Sequence, residues 1–127
     1  MTDNIQLTVF ARDRANELFN HDAALKRLGG DNELFADMSL FFFEDSPGLL
    51  DEIGDGIEQQ NAEKVVRAAH SLRGLAANFD AYDVVRIAQT IEQSAREENL
   101  GEIGKLLEEL RGHVHRLNDA LAQYRPV

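Results

Sequence analysis

The chain has 127 residues, 43% of them hydrophobic, with no cysteine and a formal net charge of -10. That length suits one domain around one core, and the composition is that of a globular chain rather than a disordered one. The missing cysteines exclude disulfides and thiolate chemistry, and so acidic a chain is a poor match for nucleic acid, whose phosphates draw Lys and Arg.

No run of about 18 apolar residues is present, so direct membrane insertion is not expected. Met1-Thr2-Asp3-Asn4 lacks the basic flank and apolar core of a secretory leader.

Nearly every long segment repeats its apolar residues at helical spacing. The first, Ala11 to Leu28, divides into two short helices, one carrying Ala15, Leu18 and Phe19 and the other Ala24, Leu25 and Leu28. Asn20 or Asp22 can cap the second piece, and Gly29-Gly30 ends it. From Asn32 to Asp45, Leu34, Met38 and Phe41 share a face that Phe35 and Phe42 widen. Phe41-Phe42-Phe43 also fits a strand fragment, but a lone strand has no hydrogen-bonding partner, so helix is the preferred reading. Pro47 marks a kink or a fresh start capped by Asp45 or Ser46. Leu50, Ile53 and Ile57 continue the helical spacing as far as the boundary at Gln59-Gln60-Asn61.

A third helix is expected over Ala62 to Phe79, capped by Asn61, with Val65, Ala69, Leu72, Ala76 and Phe79 buried. Asp80 can cap a fourth, Ala81 to Arg96, with Val84, Ala88, Ile91 and Ala95 inward. Asn99 and Gly101 precede a last helix whose face is Ile103, Leu106, Leu107, Leu110, Val114, Leu117 and Leu121. The expected fold is all-α: an antiparallel four-helix bundle, its core over about 31–124 of a single domain spanning 1–127, with one or more short N-terminal helices added.

Beside the buried stripe of the third helix lie Val66, His70, Arg73, Gly74 and Ala77. Residues three and four apart are neighbours on a helix, so this face offers an imidazole, a cation and an open spot. A neutral imidazole is a nucleophile near neutral pH. Arg73 can bind phosphoryl oxygens, and Gly74 gives another protein room to approach the ring despite its cost inside a helix. The combination suits phosphoryl transfer at His70. Each residue also has a plainer reading: a surface histidine, a solvated arginine and a glycine for helix packing.

The longer run shifts the balance toward phosphoryl transfer. Ala69-His70-Ser71-Leu72-Arg73-Gly74-Leu75-Ala76-Ala77-Asn78-Phe79 resembles the signature of histidine-containing phosphotransfer domains, Ala-His-x-Leu-Lys-Gly followed by small residues and a turn. Gly29-Gly30-Asp31, the apolar Leu34 to Phe43 stretch, Glu44-Asp45-Ser46-Pro47 and Ile87-Ala88-Gln89-Thr90-Ile91-Glu92 resemble its flanks, so the likeness runs from about His21 to Leu117. It implies that His70 accepts a phosphoryl group from a receiver-domain aspartate and passes it to another receiver aspartate. Arg73 would take the basic position and Gly74 the small one beside the ring. The partners implied are receiver domains of response regulators or hybrid histidine kinases. The chain itself would need no cofactor, the Mg2+ sitting on the receiver.

Three positions depart from the family pattern. Arg73 replaces the common Lys, Asp80 stands at the common turn glycine, and Glu92 stands where some relatives carry a Gln that supports the histidine. Glu92 close to the ring would repel phosphate, so no role is assigned to it. Val66, Arg73, Gly74, Ala77, Asn78 and Val85 are expected to edge the docking surface around His70, since small apolar groups exclude water without blocking approach. No nucleotide loop is visible, so autonomous ATP-dependent kinase activity is not expected. His113-x-His115 could suggest a metal pair, but residues two apart on a helix diverge, so these two are expected at the edge of the last helix, and His21 near a turn. The expected molecule is a monomeric, cytoplasmic phosphocarrier, or such a domain within a membrane-bound hybrid kinase. The alternatives are a noncatalytic docking or regulatory helical domain, and a phosphotransfer region cut from a CheA-like kinase.

Overall fold

Short polar side chains set the helix starts. In the computed structural model, which describes residues 18–126, Asn20 accepts from the Ala23 amide, Asp31 from that of Leu34 and Asn61 from that of Lys64. Each bond satisfies one of the amides that a helix leaves free at its first turn. The helices they open are α1 (His21–Arg27), α2 (Asn32–Glu58) and α3 (Ala62–Ala77). Two more follow, α4 (Tyr82–Arg96) and α5 (Ile103–Leu121), and a 3-10 turn over Ala122–Tyr124 ends the described chain. There is no strand among the described residues.

Helix ends are closed by one repeated device. The amides of Gly30, Asn61, Ala81 and Asn99 each bond a carbonyl five residues back, at Leu25, Gly56, Ala76 and Ser94. The residue before each of them is left-handed: Gly29 at φ 69°, Gln60 at 54°, Asp80 at 53° and Glu98 at 58°. This is the Schellman closure, in which glycine is usual because it has no Cβ to clash. Three of the four positions here lack it.

α2, α3, α4 and α5 pack in a ring, each against its chain neighbours and α5 back onto α2. The short connections make successive helices antiparallel. Phe35, Phe42, Ile53, Leu72, Phe79, Ile87, Ile91, Leu110 and Leu117 fill the centre. At one end the rings of Phe19, His21, Phe35, Phe79 and Tyr124 gather, with His21 stacked on Tyr124 at 4.6 Å and Phe35 edge-on to Phe79 at 5.6 Å. The Asn20 amide bonds the Phe79 carbonyl at 2.8 Å, tying the N-terminal segment to the α3–α4 turn.

Four expectations need correction. No fresh start occurs at Pro47, since α2 is helical on both sides of it: its buried stripe of Phe42, Ser46, Leu50 and Ile53 continues across, and that burial holds the helix where propensity would break it. The inward face of α2 is not the Leu34, Met38 and Phe41 row. Leu34 and Phe41 are exposed, while Phe35, Ser39, Phe42 and Ser46 are buried. Both serines are paired, Ser39 Oγ donating to the Phe35 carbonyl and Ser46 Oγ accepting from Asn118 Nδ2, so the burial of their hydroxyls is compensated. Asp80 does not cap α4, which begins after Ala81 with no side-chain cap; its carboxylate is turned back to Arg27, at 3.0 and 2.9 Å. Leu18 and Phe19 lie outside any helix, although Phe19 is buried. The rest of the proposed first piece, 11–17, falls outside the described residues.

Candidate functional site

His70 lies on the outer face of α3 because Ala69 and Leu72 take the inward positions on either side. Its side chain is 62% exposed. Behind it, on α4, Glu92 is buried at 8%, placed one residue past the inward Ile91. Glu92 Oε1 is 3.3 Å from His70 Nδ1 and 3.2 Å from Arg73 Nη2, and Glu92 Oε2 accepts from Arg96 Nη2 at 3.0 Å. Burial alone would raise the Glu92 carboxyl; the Arg96 hydrogen bond, the Arg73 charge and the His70 contact outweigh it and hold the group below its ordinary value of 4.5. Glu92 is therefore a carboxylate at neutral pH, with two guanidiniums against it.

Two groups compete for His70 Nδ1. Arg73 Nη2 stands 2.9 Å from it, and Glu92 Oε1 stands 3.3 Å away. An Nδ1-protonated ring donates to Glu92 and keeps its lone pair on Nε2. An Nε2-protonated ring accepts from Arg73 and has its nucleophilic nitrogen capped. The two arrangements differ in whether the ring can attack.

Next to the ring an open groove of about 590 Å³ runs between α2 and α3, lined by Asp45, Gly48, Leu49, Glu52, His70, Ser71, Gly74 and Leu75. A Cβ added at Gly74 or Gly48 would meet nothing within 4 Å. Neither glycine is needed for packing among the described residues.

The structure thus brings together His70, Arg73 and Gly74. Val66 and Val85 are half-buried against the core, and Ala77 and Asn78 are exposed at the end of α3. Sequence reasoning missed the α2 wall of the groove, whose signal was Asp45, Gly48 and Glu52 at spacings of three and four. It also missed Arg96, which stands four residues after Glu92. Glu92 itself does approach the ring, but the two arginines offset the repulsion expected of it. His113 and His115 are bound within α5, to Arg116 and Asp119. No group of three His, Cys, Asp or Glu among the described residues could hold a metal ion. No helix among them is long and apolar enough to cross a membrane.

The comparisons with known proteins agree with this architecture. The crystal structure of histidine-containing phosphotransfer protein B from Pseudomonas aeruginosa PAO1 matches with a TM-score of 0.76 at 18% identity, over 83% of this chain and 91% of that one. At that identity the match speaks for the fold. No curated protein sequence matches significantly. The Hpt domain model matches residues 37–124, a span that holds α3, α4, α5 and most of α2. The chain belongs to the Hpt domain family, the phosphotransfer domains of two-component phosphorelays that partner receiver domains.

Proposed function

We propose that this chain is a phosphorelay intermediate whose phosphoacceptor is His70. One observation carries the reading: an exposed imidazole backed by a buried carboxylate, at the edge of a groove kept open by two glycines. Nδ1 donates to Glu92, and the Nε2 lone pair faces outward. When a receiver docks, Nε2 attacks the phosphorus of its aspartyl phosphate. The N–P bond forms, the P–O bond to aspartate breaks, and its electron pair leaves on the receiver carboxylate. The ring gains positive charge in this step, and the Glu92 carboxylate stabilises that charge much as a buried acid steadies a catalytic imidazolium. Arg73, 30% exposed and within one helical turn, can turn from Nδ1 to the phosphoryl oxygens. The same steps in reverse deliver the group to a second receiver.

The receiver occupies the groove and the small-residue edge of Val66, Ala77, Asn78 and Val85. Asp45 and Glu52 on the α2 wall favour a partner surface bearing cations. The domain supplies nucleophile and placement, acts as a monomer in the cytoplasm, and leaves metal and aspartate to its partner.

The test is transfer from a phosphorylated receiver to the native chain and to His70→Gln. An acid-labile, base-stable label on the native chain alone is expected. Equal labelling of both proteins would refute His70, and failure across a broad receiver panel by a folded chain would favour a docking role.

A further inference from the structure

Glu92 has two suitors on the side of the ring. Besides His70 Nδ1, Arg73 Nη2 lies 3.2 Å from its Oε1, while the buried Nε of Arg73 has no hydrogen-bond partner among the described residues. An arginine offers Nε and one Nη as a planar fork that fits both oxygens of a carboxylate. A Glu92 free to rotate would close onto that fork, satisfy the orphaned Nε and abandon the imidazole. It is kept from doing so at its other oxygen, where Arg96 donates at 3.0 Å from one turn further along α4.

We propose that Arg96 is a positioning residue for His70, acting through Glu92. By holding Oε2 it leaves only Oε1 to be shared and keeps the carboxylate against Nδ1, where it competes with Arg73 Nη2 at 2.9 Å, takes the Nδ1 proton and so keeps that proton off Nε2. It also supplies the second positive charge that lets a carboxylate stand under a phosphoryl-accepting ring. Glu92 and Arg96 then form a functional pair: the carboxylate needs the arginine, and an uncharged amide at 92 does not. The significance for transfer rests on His70 being the phosphoacceptor; the effect on the ring does not.

The experiment reads the His70 ring nitrogens by long-range 1H–15N NMR in the full chain, for the native protein, Arg96→Gln, Arg96→Lys, Glu92→Gln and the Glu92→Gln/Arg96→Gln double variant. Circular dichroism checks each fold, and transfer from a phosphorylated receiver is timed alongside. The native ring should carry its proton mainly on Nδ1. Arg96→Gln should move it toward Nε2 and slow transfer several-fold, and Arg96→Lys should restore most of both. In the Glu92→Gln background, where no carboxylate is left to hold, removing Arg96 should neither move the proton toward Nε2 nor slow transfer. An unchanged tautomer in Arg96→Gln overturns the proposal, as does an equal shift in both backgrounds, which would mean that Arg96 acts by another route. A native chain that takes no phosphate on His70 sinks the relay reading instead, and the tautomer comparison still decides the role of Arg96.

Discussion

Gly74 gives the sharpest separation of stability from function. Glycine inside a helix costs about 1 kcal/mol relative to alanine, chiefly through the freedom it gives the unfolded chain. A Cβ at Gly74 would meet nothing within 4 Å, so no packing cost opposes the gain. Gly74→Ala should therefore stabilise the isolated chain by roughly 0.5–1 kcal/mol, raising Tm by about 2–6 °C. The same methyl would lie in the docked interface beside His70. An extra methyl forced into a close-packed contact costs about 1–3 kcal/mol, so transfer from a limiting receiver should fall roughly 5- to 150-fold. Gly104→Ala is the control: it too is open and in a helix, but lies on α5 outside the groove. It should gain stability without losing transfer. Denaturant unfolding and a timed transfer assay on the three proteins decide the matter. A destabilised Gly74→Ala would refute the open-site argument, and unchanged transfer even in Gly74→Gln would refute receiver approach at this spot.

Other glycine and turn positions carry different signs. Gly56→Ala places a Cβ 2.6 Å from Val65 Cγ2 and 3.2 Å from the Asn61 carbonyl oxygen, so urea unfolding should show a net loss of roughly 1–2 kcal/mol despite the helix gain. At Asp80, glycine relieves a left-handed backbone costing roughly 1–2 kcal/mol but gives up a bidentate ion pair in which Arg27 is half exposed and the Asp80 side chain 11% exposed, worth about 1 kcal/mol. Unfolding midpoints should rank Gly level with or above Asp, and Ala, which keeps the strain and loses the pair, lowest. The Glu92 carboxyl is lowered in the fold, so the unfolded chain takes up its proton first. The stabilisation is whole above about pH 4.5 and is lost as pH falls through the lower folded value. Unfolding free energies measured from pH 6 down to pH 3, a window spanning the ordinary range, should fall less steeply in Glu92→Gln than in the native chain; parallel curves would refute the buried-carboxylate account.

The bundle was legible because α3, α4 and α5 obey simple patterning: apolar residues at spacings of three and four face inward. α2 broke the pattern in both directions. Ser39 and Ser46 are buried and Leu34 and Phe41 exposed, so counting hydrophobic residues placed Phe35, Phe42, Leu50 and Ile53 inward correctly but centred the face on the wrong row and passed over the serines. Pro47 misled for a related reason, since propensity is local and the burial that overrides it is not. Turn chemistry was legible at Gly29, where a glycine takes the left-handed position. It was hidden at Gln60, Asp80 and Glu98, which hold the same conformation without one. Asp80 shows why: its conformation is supported by Arg27, 53 residues away in sequence, whose fork also reaches the Asn78 carbonyl at 3.2 Å.

The site divides along the same line. His70, Arg73 and Gly74 lie within five residues, and helical spacing alone sets them on one face. Glu92 is 22 positions from His70, and a carboxylate next to a phosphoryl acceptor is electrostatically unwelcome when considered by itself. What reverses the sign is Arg96, whose own spacing from Glu92 is that of an everyday helix ion pair. Neither residue signals a role singly. The charge balance exists only when α3 and α4 pack, because that is when one buried carboxylate meets a guanidinium from each helix and the ring it must hold.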